Sequence, residues 1–234
     1  MAGIQKLVNK ECAELNKFVK GKSLHFLSKK KIIGLIGGDH STPLGLIQAC
    51  AQKNKDFAVL QIDAHADLRN AYEGFEFSHA SIMFNVLKIK EVKKLVQVGI
   101  RDYCEAEANL VKNSKGRVVS FYDRNIKHDQ YKGKSWKNIC DEIIKELPEK
   151  VYLSFDIDGL DPKLCPNTGT PVPGGFEAEQ VLFLIQRLVE SKRKIIAFDI
   201  NEVTPGNDEW DANVGARMLY RIAGLAALSQ KKVK

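Results

Sequence analysis

The pentapeptide Asp63-Ala64-His65-Ala66-Asp67 sets two carboxylates and an imidazole at alternate positions. It follows Phe57-Ala58-Val59-Leu60-Gln61-Ile62, a short apolar run that reads as a buried strand. On extended backbone alternate side chains point the same way, and a tight bend past the strand end keeps them convergent, so Asp63, His65 and Asp67 meet in one place. Ionised carboxylates withdrawn from water cost several kcal/mol or more unless a cation compensates them. A metal ion is the natural compensator.

Three further strand ends carry groups of the same kind. His40 lies in Gly37-Gly38-Asp39-His40-Ser41, and Asp156 and Asp158 lie in Ser154-Phe155-Asp156-Ile157-Asp158-Gly159-Leu160-Asp161-Pro162. The last end gives Asp199, Asn201 and Glu202 in Asp199-Ile200-Asn201-Glu202-Val203-Thr204-Pro205. Asp161, ahead of a proline, reads as a turn residue. Two imidazoles and four carboxylates are too many ligands for one divalent ion. They suit two ions sharing carboxylates, and oxygen-rich ligation points to Mn²⁺ or Mg²⁺ rather than a closed thiolate zinc site. Two such ions about 3.5 Å apart acidify a shared water, which is the chemistry of a hydrolase.

Strands and helices must alternate to bring these ends together. Helical spacing over residues 2 to 20 places Ile4, Leu7, Val8, Cys12, Leu15, Phe18 and Val19 on one face, and a second short helix carries Leu24, Phe26 and Leu27. Strands are predicted at 31–36, 57–62, 95–100, 117–121, 151–158 and 194–200. Helices are predicted after Pro43 and over 78–90, 105–113, 136–147, 177–191 and 211–228. The Pro- and Gly-rich loop 159–176 is long enough to be a binding loop. This order predicts a single α/β domain over residues 1–234: a three-layer, mostly parallel sheet with helices on both faces. Ligands in such sheets gather beyond the carboxyl ends of the strands, which is where the acids fall.

Composition removes other classes. The net charge of +7 comes largely from scattered lysines, and without aromatic-basic interleaving or a recognition motif it does not indicate nucleic acid. Five widely spaced cysteines with no C-x-x-C pair argue against a disulfide framework and a zinc knuckle. No apolar run approaches the roughly 18 residues of a membrane span, and the N-terminus has no signal-peptide core. A cytoplasmic protein is expected.

Gly37 to Ser41, Asp63 to Asp67, Ser154 to Pro162 with Thr168-Gly169-Thr170-Pro171, and Glu202-Val203-Thr204-Pro205 together resemble the successive motifs of the ureohydrolase family of arginases and agmatinases. The resemblance runs from residue 31 to the end and is closest to agmatinases. It implies an arginase-like fold, a dinuclear manganese centre and hydrolysis of a guanidinium group to urea and an amine. By the same resemblance His40, Asp63, Asp67 and Asp156 would hold one ion, and Asp63, His65, Asp156 and Asp158 the other. Glu202 would pair with the guanidinium, His79 would move protons, Asp67 would share in catalysis, and Thr168 would belong to the substrate site.

Cys104 stands where arginases carry an acid for the α-amino group, which disfavours arginine and leaves agmatine first, ahead of guanidinobutyrate and guanidinopropionate. Glu73, Glu76, Glu105 and Glu107 are available to a cationic tail but read first as surface charge. Family members usually have an N-terminal strand region before the Gly-Gly-Asp-His segment. Here that segment begins at Gly37, so a shortened sheet with an uncovered edge is expected. Homo-trimers or hexamers are the assembly the family implies. A catalytically silent remnant and a metallophosphoesterase are the competing readings, the latter lacking a G-N-H segment.

Overall fold

The computed structural model describes residues 2–231. Six strands, β1 (Gly34–Ile36), β2 (Phe57–Ile62), β3 (Val92–Ile100), β4 (Val118–Tyr122), β5 (Lys150–Asp156) and β6 (Lys194–Asn201), form one sheet in the order β1-β6-β5-β2-β3-β4. Every pairing is parallel. β2, at the centre, is buried along its whole length, as a strand covered on both faces must be, and this is why it reads as a continuous apolar run.

One face packs against α6 (Trp136–Lys145), α7 (Ala178–Glu190) and α8 (Trp210–Leu228), with Leu60, Leu153 and Phe155 meeting Ile143, Ile185 and Met218 in one apolar cluster. The other face packs against α2 (Leu44–Lys53) and α3 (Ile82–Leu87), with Phe57, Val59 and Tyr152 meeting Ile47 and Met83. α4 (Glu105–Asn113) adds Leu110 and Val111 to the second cluster. This three-layer arrangement is the expected one, and it carries the ends of β2, β5 and β6 to one edge.

Details depart from expectation for identifiable reasons. The helix expected over 78–90 is a 3₁₀ turn, His79–Ser81, followed by the short α3. The amides of Met83 and Phe84 bond the carbonyl of Asp67 at 3.0 and 3.2 Å, so the start of α3 is fixed by the site segment. A helix not expected from sequence, α5 (Asp123–Tyr131), follows β4 with only Asp123 and Ile126 buried.

The two N-terminal helical segments form one helix, α1 (Ala2–Ser28). Its apolar stripe enters the core only in part: Val19 and Leu27 pack against the second cluster, whereas Ile4 and Phe18 are 68% and 61% exposed. The buried positions are instead Asn16 and Ser23. α1 crosses α2 where Gly45 lies so close that a Cβ there would sit 2.4 Å from the Asn16 carbonyl oxygen, an approach that demands small residues. At the sheet edge, β1 has no outer neighbour among the described residues, and Ile36 is exposed. The five cysteines are free. No described helix is long and apolar enough to cross a membrane.

Candidate metal centre

The residues expected to bind metal converge at the carboxyl ends of the strands. His40 opens the turn after β1 and is buried, and Asp63, Asp67, Asp156 and Asp158 are buried with it, while His65 is half-buried. The Nδ1 atom of His40 lies 3.0, 3.1 and 3.2 Å from carboxylate oxygens of Asp63, Asp67 and Asp156. The same atom is hydrogen-bonded to none of them. The Nδ1 of His65 lies 2.9 Å from Asp158 Oδ2 and 3.7 Å from Asp63 Oδ1.

Two overlapping groups result, His40-Asp63-Asp67 and Asp63-His65-Asp158, each with donor atoms close enough to share one ion. Asp63 is common to both. Asp156 approaches the first group through Oδ2, while its Oδ1 accepts the Asp158 amide at 2.9 Å. An orphaned buried nitrogen ringed by carboxylate oxygens fits a cation that belongs among them.

The charges around the cluster are mutually strained. Burial alone would push both imidazoles down, but the surrounding carboxylates outweigh it. Asp156, Asp63 and Asp67 hold His40 well above the ordinary value, and Asp158 with Asp63 push His65 up to about 11. Burial and the Asp63 charge raise Asp67 to about 7. Burial, then Asp158 and Asp63, hold Asp156 well above the usual carboxylate range. Against the raising effect of burial, Asp63 is pulled below that range by the neighbouring His40 and His65 imidazoles. Four carboxylates and two imidazoles so placed hold protons that divalent ions would displace.

Local backbone serves this convergence. Gly159 follows Asp158 because a Cβ there would sit 2.9 Å from the Asp63 amide nitrogen. Asp67 and Glu202 both adopt left-handed backbone, with φ of 55° and 62°. Such a conformation is uncommon for residues other than Gly, Asn and Asp, and it collects at functional positions.

Glu202 is half-buried, its Oε1 accepting the His40 amide at 2.9 Å, and burial raises its pKa. Thr168 is buried and donates its hydroxyl to the Glu202 carbonyl at 2.9 Å, so it holds Glu202 in place. Thr170 lines the mouth instead, in a cavity of about 140 Å³ shared with His65, Asp67, Tyr72, His79 and Asp102.

Several supporting groups were not read as site residues. Behind His40, Ser154 donates to Asp199 at 2.9 Å, so its oxygen is left to accept from His40 Nε2 at 2.8 Å. This turns Nδ1 toward the carboxylates. Arg101 bonds the carbonyls of Asp158 and Leu160 at 2.7 and 3.1 Å and of Val172 at 2.9 Å, tying the loop after β5 beneath the cluster. Glu107 corrects its reading as surface charge: it is buried and accepts the amides of Leu68 and Cys104 at 2.9 and 2.8 Å. The mouth loop is gripped from α1, where Asn9 bonds the Gly74 carbonyl and the Glu76 amide, and Gln5 the Glu73 carbonyl.

Known proteins resemble this chain in sequence and fold. The sequence profile of the Arginase family matches residues 5–224. N(1)-aminopropylagmatine ureohydrolase of Thermus thermophilus is 34% identical over 215 residues, covering 92% of this chain and 69% of its own length. The enzyme of the same name from Thermococcus kodakarensis is 35% identical over 200 residues, covering 85% and 63% respectively. The crystal structure of agmatine ureohydrolase of Thermoplasma volcanium superposes with a TM-score of 0.78 at 25% identity, over 93% of this chain and 70% of that one. The chain is a member of the arginase family, an enzyme of the ureohydrolase kind.

Proposed function

We propose that the chain uses two Mn²⁺ ions to hydrolyse a linear guanidino compound to urea and an amine, with agmatine or an aminopropyl derivative of it as substrate. The observation that carries the reading is the orphaned Nδ1 of His40 among three carboxylate oxygens, in a cluster that shares Asp63 with a second group around His65. His40, Asp63, Asp67 and Asp156 are assigned to one ion, and Asp63, His65 and Asp158 to the other, with Asp156 close to both. When bound, the ions supply the Lewis acidity that activates water.

The remaining groups bind and orient. The half-buried Glu202 carboxylate, held beside His40 by that residue's amide, accepts paired N–H bonds from a planar guanidinium. Thr168, through the Glu202 carbonyl, keeps that carboxylate aimed. His79, on the cavity wall with its ring 6.1 Å from that of Tyr72, is placed to pass a proton to the departing amine. Asp102 stands exposed at the same mouth, a carboxylate available to a cationic tail. The names of the relatives, which act on aminopropylagmatine and agmatine, support the same tail chemistry.

A panel of agmatine, aminopropylagmatine, guanidinobutyrate and arginine, scored for urea with Mn²⁺ present, tests the assignment. Agmatine or its aminopropyl derivative is expected to give the highest kcat/KM. Preference for the carboxylate-ended guanidinobutyrate would overturn the tail reading, and no urea from any compound would leave an ion-binding remnant.

Ion binding also carries a pH signature. Asp67, Asp156 and both histidines have pKa values raised above their unfolded ones, so each contributes stability at low pH that is lost as pH rises. For Asp67 the loss runs from about 3.9 to about 7, and for His65 from about 6.5 to about 11. Asp63, with the opposite shift, loses its contribution only in acid, below about 3.9. The chelated protein therefore weakens between pH 6 and 9. Over the same range ions compete better with the departing protons. Melting temperatures with Mn²⁺ and with EDTA are expected to draw apart as pH rises, and a gap that narrows would place the ions elsewhere.

A further inference from the structure

Behind the cluster, a row of buried polar side chains interrupts the apolar face of the sheet. Sheet register sets Ser120 beside Gln97, Gln97 beside Gln61, Gln61 beside Ser154 and Ser154 beside Asp199, on five adjacent strands. Gln61 and Gln97 are completely buried. A sheet interior gains nothing from glutamine, because each buried amide has to be satisfied in full. These two are, in one direction. Ser120 donates to Gln97 Oε1 at 2.7 Å, Gln97 Nε2 to Gln61 Oε1 at 2.7 Å, and Gln61 Nε2 to Asp63 Oδ2 at 2.7 Å.

The direction is not free to reverse. Gln97 Nε2 also donates to the Ala66 carbonyl at 2.7 Å, and Gln61 Nε2 to the His65 carbonyl at 3.2 Å. A carbonyl only accepts, so each amide must turn its nitrogen toward the 63–67 segment. The ladder thus ends with a donor on the carboxylate common to both candidate ion groups, while the His65 amide donates to its other oxygen at 2.6 Å.

We propose that Ser120, Gln97 and Gln61 are positioning residues that lock the plane of the Asp63 carboxylate through a one-way hydrogen-bond ladder and thereby set the affinity for the shared ion pair. The proposal rests on the metal-centre reading above and extends it to residues that touch no ion. Groups that orient a ligand commonly change metal affinity by about tenfold to a hundredfold when removed.

The test is calorimetric titration of the full chain with Mn²⁺ alone, without substrate. Gln97→Met removes the donor to Gln61 while keeping the side-chain length, and Mn²⁺ affinity is expected to fall by about tenfold or more. Gln97→Glu, which sets an acceptor opposite Gln61 Oε1 and favours reversal of its amide, is expected to weaken binding further. Affinity within twofold of the wild type in either folded variant overturns the proposal. Should both fail to fold, Ser120→Ala, at the half-buried end, carries the same test: a fall of about threefold supports the ladder and unchanged affinity overturns it. Failure of the wild type to bind Mn²⁺ would instead refute the metal centre itself.

Discussion

Replacing Asp156 with asparagine is expected to abolish urea release while the fold persists. The asparagine oxygen can still accept the Asp158 amide that Asp156 Oδ1 accepts at 2.9 Å, and the side-chain volume is unchanged. What disappears is the negative charge whose other oxygen lies 3.2 Å from His40 Nδ1. Charge compensation of this kind supplies several kcal/mol, so turnover should drop about a thousandfold or more. In the chelated protein the same change removes a carboxylate held well above its usual range by burial and by Asp158 and Asp63. The ion-free variant is accordingly expected to melt no lower than wild type at pH 8. Metal content, urea assay and thermal melts check the three parts, and full activity in a metal-replete variant would remove Asp156 from the site.

Glu202→Gln is expected to separate substrate binding from metal binding. Glutamine keeps an acceptor for the His40 amide, so Mn²⁺ content should be unchanged. It cannot offer a guanidinium two charged acceptors, and a charge-assisted bidentate contact is worth about 2–3 kcal/mol. A fall in kcat/KM of about a hundredfold follows. Metal loss with unchanged substrate affinity would assign Glu202 to the ions instead.

Much of this architecture was legible from the chain because its physics is local. Strands buried on both faces must be apolar throughout, and acids at their ends stand out against that background. The D-x-H-x-D and D-x-D segments are such outliers. Features set by tertiary packing were not legible. Gln61 looks like a tolerated polar residue in a strand until the register puts it beside Gln97. Glu107 looks solvated until the amides of Leu68 and Cys104 are seen to need an acceptor. Helix α5 buries so little that no apolar period announces it. In α1 the period is genuine, but at the tight Gly45 crossing only part of it is used: Val19 and the Asn16 backbone meet α2 while Ile4 and Phe18 stay exposed. Thr168 and Thr170 are told apart only by where the loop sends each of them.

The left-handed backbone at Glu202 has an evolutionary corollary. Glycine, or even asparagine, would rest there more easily by up to about 1–2 kcal/mol, whereas a glutamate persists only under constraint from its surroundings. Robustness and usefulness therefore pull in opposite directions at this position. A descendant relieved of the proposed guanidine chemistry could grow sturdier by a single substitution there, losing in that step the carboxylate proposed to meet the substrate.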